Sequence, residues 1–260
     1  MAGSRRVPEG PAPDPAVQKL RIRYAKRGRM RFTSTRDFQR ALERAVRRAA
    51  LPMAYSGGFH PHPKISYANA APTGAASEAE YVEISLTRAV DPAAVAPLLD
   101  ASLPEGLDVL EVVDAADLPG ALADRLEGSV WAMRFRAAGP GEAVDAEGMA
   151  LAVASFLAVA ELHVSRMMKK GPRDLDVRAA VLDLTVADGP VPGAGADPRG
   201  GDVVLLVSLR HTTPTVRPEE VWTALRQLSG LDLPRPVSTR LRQGPVVDGS
   251  VAPTLHGGSV

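Results

Sequence analysis

The segment "YSGGFHPHPK", residues 55–64, has the side chains best suited to chemistry in this sequence. His60 and His62 flank a proline, and residues two apart in an extended segment point to the same side. An imidazole titrates near neutral pH, so both are candidate general acid–base groups. A metal site needs more ligands than two, and no serine or carboxylate stands in a catalytic motif beside them. We expect no metal site here.

The same segment also fits a binding loop. Its two adjacent glycines permit positive φ, and its prolines fix the direction of the chain. One interpretation is therefore a rigid connection with a structural role only. The other is ligand contact, because binding residues concentrate on ordered loops. The residues assigned to the ligand loop are Tyr55, Phe59, His60, His62 and Lys64.

A strongly basic segment precedes the loop. The net charge is only +1, yet residues 19–48 contain twelve Lys or Arg and two acids. Arginines recur there every four residues, which places them along one ridge of a helix. Arginine offers a planar fork suited to phosphate. The alternative is a solvated helix face. The predicted phosphate-binding residues of this helix are Arg36, Arg40, Arg44 and Arg48.

The strand before this helix adds two further candidates. Leu20, Ile22 and Tyr24 alternate with Arg21 and Arg23, the period of a strand with one buried face. If the apolar set faces the helices, both arginines lie on the open face of the sheet. Seven of the eleven aromatic residues fall in the same part of the chain. Basic residues beside rings that can stack on bases predict single-stranded nucleic acid or RNA binding.

The elements that would position these residues follow the order β-α-β-β-α-β. We predict an α+β fold of two tandem ferredoxin-like halves with antiparallel sheets. The first half takes residues 18–115 and carries the basic helix, and the second takes 128–243. Residues 1–17 and 244–260 are rich in Gly and Pro and are predicted to be disordered.

The composition excludes several classes of protein. There is no cysteine, so disulfides, thiolate catalysis and protein-ligated iron–sulfur clusters are excluded. The longest uncharged apolar run, residues 149–160, is too short to span a bilayer. We expect a cytoplasmic protein that does not enter a membrane and has no cofactor of its own.

Residues 20–86 closely resemble the opening of the radical-SAM-linked protein family, a bacterial domain of unknown function. The resemblance rests on "K-x-G-x-x-R-F-x-S" at 26–34, the arginine-rich helix, "Y-S-x-G-F-x-P-x-P" at 55–63 and "P-x-G-x-x-S-x-x-E" at 72–80. It extends more loosely over residues 18–215. The composition, rich in Ala, Arg and Pro, is similar to that of actinobacterial members.

This resemblance implies partners rather than a reaction. Members are fused to, or encoded beside, a cobalamin-binding radical SAM protein, and in actinobacteria the usual neighbour is an E/G-type ribonuclease. Because this chain lacks cysteine, any radical chemistry would belong to a separate polypeptide.

The sequence thus favours a non-catalytic RNA-binding accessory protein that acts with a radical SAM enzyme or with RNA-processing machinery. Two alternatives remain open. One is a metal-independent endoribonuclease that uses His60 or His62. The other is an adaptor whose basic helix meets an acidic protein.

Overall fold

The structure, a computed structural model, describes residues 13–118, 120–137, 143–195 and 201–255. Within these residues, five α-helices and a large, mostly antiparallel sheet form a mixed α/β structure. The chain divides into two compact units. The first consists of Met1–Thr73, Glu80–Ala123 and Leu255–Val260, and the second of Gly74–Ala79 and Asp124–Thr254.

The first unit contains four strands and two helices. The strands are β1 (Gln18–Lys26), β2 (Ile65–Ala68), β3 (Ala76–Leu86) and β4 (Val109–Asp114), and the helices are α1 (Thr35–Arg48) and α2 (Pro92–Asp100). Their sheet order is β4-β1-β3-β2. β1 pairs antiparallel with β4, and β2 pairs antiparallel with β3.

The core of this unit forms where the apolar side of β1 meets α1. Leu20, Ile22 and Tyr24 are buried, as their alternation predicts. The ring of Tyr24 stacks on that of Phe38, with centroids 4.4 Å apart. Burying a large apolar side chain of this kind contributes about 1.5–3 kcal/mol. The packing therefore fixes which side of α1 faces the sheet.

Both helices of the first unit begin at the residues that the sequence indicates. The Ser34 hydroxyl accepts a hydrogen bond from the Asp37 amide, which satisfies a free N–H of the first turn of α1. Asp91 caps α2 in the same way, through the Ala93 amide. In the sequence, the spacing of Ser34 and Asp37 and the Asp91–Pro92 pair predict helix N-termini, and these contacts confirm both.

The second unit contributes four strands to the large sheet, in the order β10-β5-β9-β8, and each of these neighbours is antiparallel. The first residues of β3 pair in parallel with β10, so β3 contributes residues to both units. The strands are β5 (Gly128–Phe135), β8 (Val181–Val186), β9 (Val203–Arg210) and β10 (Val237–Gly244). The helices are α3 (Ala146–Ala158), α4 (Val177–Ala180) and α5 (Pro218–Ser229).

The hairpin formed by β6 (His163–Met168) and β7 (Gly171–Asp176) lies outside the large sheet. Its strands pair antiparallel in a two-stranded sheet of their own. The sequence rhythm places a single strand near 160–166 and does not anticipate β7. The reason is that "KKGPRDLDVR" is almost entirely polar and shows no buried alternation apart from Leu175.

The ends of the chain differ from their expected disorder over the described residues. Val17 donates its amide to the Leu86 carbonyl at 2.8 Å. After β10 the chain forms a short hairpin from β11 (Val246–Val247) and β12 (Ser250–Val251), and Thr254 and Leu255 are buried. Few apolar side chains stabilise these residues, which is why their composition predicts a disordered tail. The predicted disorder of residues 1–12 and 256–260 lies outside the described residues.

No helix in the described ranges is both long enough and apolar enough to cross a membrane.

A half-buried histidine in the second unit links protonation to stability. The Nδ1 atom of His211 donates to the Leu126 carbonyl at 2.6 Å, which leaves Nε2 to accept from the Ser129 hydroxyl at 3.1 Å. Burial lowers the pKa of His211 below its ordinary value, and the nearby Arg240 charge adds to that effect, against the opposing hydrogen bond to Leu126. The folded state therefore favours the neutral ring.

We predict that this preference makes the free energy of unfolding fall as pH drops below about 6.5, the ordinary histidine pKa. The unfolded chain then binds a proton that the folded chain resists. Urea unfolding at pH 7.5, 6.5 and 5.5 measures the effect. The His211→Gln variant should lose less stability over this range than the wild type. Equal losses in the two proteins would contradict the assignment.

Candidate nucleic-acid interface

The outer side of α1 presents a row of exposed arginines. We call Arg36, Arg40, Arg44 and Arg48 the arginine ridge, and all four are exposed. Over the described ranges, no carboxylate oxygen lies within 4 Å of the first three, nor of the neighbouring exposed Arg47. Arg48 donates to the Ser102 carbonyl. From Arg36 to Arg48 the ridge extends over about 18 Å along α1.

An exposed ring stands just before the helix. A 3₁₀ turn, Gly28–Phe32, follows β1, and Gly28 adopts φ +52° to enter it. The Phe32 side chain is 59% exposed, and the Arg31 guanidinium carbon lies 4.6 Å from its ring centroid. The turn thus offers a flat apolar surface backed by positive charge at the start of the ridge. Phe32 is one of the seven aromatic residues in this part of the chain, but it is not among the predicted site residues.

Residues 55–64 form a hairpin that follows the C-terminal end of α1. Met53 pairs with Leu86 at the base, and Tyr55 pairs with Pro63. Ser56 donates its amide to the His62 carbonyl at 2.9 Å, while its hydroxyl accepts from the His62 amide at 3.0 Å. Gly58 has φ +113°, which confirms the predicted positive φ in the glycine pair. We call this segment the His-Pro hairpin.

The side chains of the His-Pro hairpin point to solvent. Phe59 is 62% exposed and Tyr55 is 40% exposed. His60, His62 and Lys64 are also exposed. All five predicted loop residues are therefore accessible from solvent.

The hairpin does not assemble a recognisable catalytic group. Among the described residues, no side chain hydrogen-bonds to the imidazole of His60 or His62. A general base needs an orienting partner or substrate to fix its tautomer. The described residues therefore do not fix the tautomer of either imidazole.

Two predicted phosphate ligands have other roles. Arg21 is only 2% exposed, its Nε donates to Glu83 at 2.9 Å, and an Nη atom donates to the Gly120 carbonyl. Arg23 pairs with Glu111 at 3.2 Å. The expected open face is thus occupied by ion pairs, which corrects the picture of two free arginines. Alternation shows which face a strand residue takes, but not which residues from distant segments cover it.

The Arg21–Glu83 pair forms one wall of a cleft of about 570 Å³ in the first unit. Lys19, which is mostly exposed, also contacts Glu83, at 3.1 Å. Burial by itself raises the pKa of Glu83, but the hydrogen bonds from Arg21 and Lys19 outweigh it and hold the pKa below its ordinary value. Glu83 is therefore ionised at neutral pH and balances the buried guanidinium.

Lys26, from the motif at 26–34, and Glu80, from the motif at 72–80, stabilise the fold. Lys26 is 5% exposed and donates to the Ala71 carbonyl at 3.2 Å. Glu80 is 1% exposed and accepts from the Ala71 amide at 3.0 Å. Together they satisfy both backbone groups of Ala71, in the segment that leads from β2 to β3. These buried motif residues position the segment.

The polar cluster of the second unit lies on the β6–β7 hairpin. Lys169, Lys170 and Arg173 are exposed around its turn. At its base, ligand atoms of Glu161, His163 and Asp176 lie within 4.8 Å of one another. The spacing of these three residues in the sequence is not that of a metal site, so the grouping was not predicted. It arises from the strand register, which places His163 opposite Asp176.

Residues 19–218 match the sequence model of one protein family. The family is described as an uncharacterized protein conserved in bacteria (DUF2344). Because the match spans most of the chain, the protein belongs to this family. It includes the arginine ridge and the His-Pro hairpin. The membership confirms the resemblance to a bacterial family of unknown function, and it says nothing about radical SAM proteins. No curated protein matches the chain.

We predict that Glu83→Ala destabilises the first unit by about 3 kcal/mol, because it leaves the buried Arg21 charge without its partner. Lys19→Ala is the matched control. It removes the exposed partner of the same carboxylate and should cost about 1 kcal/mol or less. Urea unfolding of the three proteins at pH 7 measures both values. Similar small losses in the two variants would show that Arg21 does not depend on Glu83.

Proposed function

We propose that the protein is a non-catalytic accessory protein that binds single-stranded RNA through the arginine ridge and the rings that flank it. The observation that carries the proposal is the exposed ridge, with no carboxylate within 4 Å of Arg36, Arg40 or Arg44 in the described part of the chain. Ordinary surface helices mix charges of both signs along their solvated face. A row of unneutralised arginines instead favours a polyanion.

Arginine is suited to the phosphate groups of such a ligand. Its guanidinium presents a planar fork that bonds two phosphate oxygens at once. Residues four apart on a helix rise about 6 Å along its axis. The ridge therefore offers successive forks along one line, an arrangement that can follow an extended backbone.

The exposed rings favour a single strand over a duplex. Phe32 precedes the ridge in the chain, and Tyr55 and Phe59 follow it. Unpaired bases stack on such rings, whereas paired bases in a duplex are already stacked on one another. Stacking contributes about 1–3 kcal/mol per base, largely without regard to sequence. We therefore expect weak sequence preference.

The topology is consistent with the predicted architecture. The strand orders β4-β1-β3-β2 and β10-β5-β9-β8, each with two helices as crossover connections, support an interpretation as two ferredoxin-like halves. This fold carries many unrelated functions, so it supports the architecture and not the ligand.

The proposed setting is the cytoplasm, beside a separately encoded radical SAM protein or an E/G-type ribonuclease. The support is the resemblance drawn from the sequence. The chain has no cysteine, so an iron–sulfur cluster would be held by the other polypeptide. In this arrangement the protein would deliver or hold the RNA while its partner performs the chemistry.

The first prediction on RNA binding concerns the arginine ridge. Arg40→Ala with Arg44→Ala should weaken binding to a single-stranded RNA about tenfold or more, since each bond to a charged group contributes about 1.5–3 kcal/mol. The slope of log affinity against log salt should become less steep by about 1.4, or about 0.7 for each lost phosphate contact. Fluorescence anisotropy across a salt series measures both quantities.

The matched control replaces two exposed arginines of the second unit, Arg136→Ala with Arg210→Ala. It removes the same charge and should leave affinity nearly unchanged. Each substitution is on the surface, so stability should change by no more than about 0.5 kcal/mol. Equal weakening in the two double variants would mean that only net charge matters, and the ridge would not be the site.

The second prediction concerns stacking. Phe59→Ala and Phe32→Ala should each weaken RNA binding by about 1–3 kcal/mol while leaving the salt slope unchanged, because a ring neutralises no phosphate. Leu151→Ala is the control, since Leu151 is 70% exposed on α3. Competition with a duplex of the same sequence completes the test. Preference for the duplex would contradict the single-stranded ligand.

The endoribonuclease alternative is supported by one observation, the exposure of both imidazoles of the His-Pro hairpin. We predict that His60→Gln with His62→Gln lowers RNA affinity modestly, by about 1 kcal/mol per lost bond. The wild type should leave a radiolabelled RNA intact in the presence of a chelator. Metal-independent cleavage that disappears in this variant, with binding retained, would establish the alternative. An acidic protein partner that binds the ridge, with no binding of RNA, would establish the adaptor.

A further inference from the structure

A second site lies in the other unit, at the base of the β6–β7 hairpin. Glu161, His163 and Asp176 each contribute one ligand atom, and these atoms all lie within 4.8 Å of one another. Donors that share one zinc ion at bond lengths of about 2.0–2.2 Å lie about 3–4 Å apart. Glu161 and His163 are exposed, so small rotations of their side chains close the remaining gap.

The hairpin holds two of the ligands in a fixed register. His163 and Asp176 are directly opposite each other in the β6–β7 pairing. Behind them Val164, Leu175 and Val177 are buried at 4%, 4% and 0% exposure, so the base of the hairpin is packed. The backbone that carries the site is therefore held by its own packing.

Asp176 is oriented by hydrogen bonds to one of its two oxygens. Its Oδ1 accepts from the Leu162 amide at 3.3 Å and from the Ala179 amide at 3.1 Å. The other oxygen, Oδ2, remains available. Metal-binding carboxylates are commonly held by such bonds to the oxygen or face that does not bind the ion.

The charge of the cluster is not balanced by side chains nearby. In the described ranges, no Lys or Arg nitrogen lies within 4 Å of the carboxylates of Glu161 and Asp176. The hairpin has basic residues, but Arg166 is paired with Glu220 at 3.1 Å. Two carboxylates held this close repel each other, and a bound cation would relieve the repulsion.

We propose that Glu161, His163 and Asp176 bind a divalent transition-metal ion. The nitrogen ligand distinguishes the cluster from a group of surface acids, because imidazole suits zinc and its neighbours whereas magnesium and calcium prefer oxygen ligands alone. Three protein ligands leave coordination positions open to water on the exposed side. The site is independent of the RNA interface, which belongs to the first unit.

The test is isothermal titration of the full chain, free of a histidine tag and treated with a chelator, with Zn²⁺ alone. We expect one zinc per chain and a raised melting temperature, since the ion binds only the folded site. Losing even a hydrogen bond to a metal ligand costs roughly 10- to 100-fold in affinity. His163→Gln and Asp176→Asn should therefore each weaken binding by at least about tenfold. Asparagine keeps an oxygen for the two amides, so the second variant should fold.

Two controls separate this site from other causes of zinc binding. Asp174→Asn removes an exposed charge from the same strand and should leave affinity within about twofold of the wild type. His60→Gln with His62→Gln removes the two histidines of the His-Pro hairpin and should also have no effect on zinc affinity. The proposal is overturned if the wild type shows no saturable zinc binding, or if His163→Gln binds zinc as tightly as the wild type does. It is also overturned if the loss of His60 and His62 abolishes the binding.

Discussion

The packing of α1 against β1 determines which side of the helix carries the arginine ridge. Phe38 stacks on Tyr24, and the buried positions of α1 recur on one side of the helix. A helix that buries one stripe must turn the opposite one to solvent. The arginines occupy that opposite stripe, so the same contacts that stabilise the core hold the ridge outward. A substitution such as Phe38→Ala would loosen the core and disturb the surface together.

The motif residues of the first unit are of two kinds, buried charged residues that order the fold and exposed residues. Lys26 and Glu80 are buried on either side of the Ala71 backbone, and Arg21 is buried against Glu83. These charged residues order the sheet and the segment between β2 and β3. The exposed residues, by contrast, belong to α1 itself and to the short turns that enter and leave it. A buried charge must be paired to be stable, so charged residues inside the sheet are poor candidates for a ligand.

The sequence predicted the elements that have a strong local signal. The stripe of α1, the caps at Ser34 and Asp91 and the turn at Gly58 depend on neighbours within a few residues. Features that depend on distant contacts were missed. The pairing of Arg21 with Glu83 joins two strands, and the grouping of His163 with Asp176 arises only when β7 folds back on β6. Alternation and spacing along the chain contain no information on either contact.

The most direct test of the account is to locate where RNA touches the protein. A single-stranded RNA containing 4-thiouridine, bound at low salt and irradiated, forms covalent links with nearby side chains, and mass spectrometry of the digested complex identifies the linked peptides. The account predicts links within residues 27–64, which include Phe32, the arginine ridge and the His-Pro hairpin. Links confined to Asp124–Thr254, or none with saturating RNA, would contradict it.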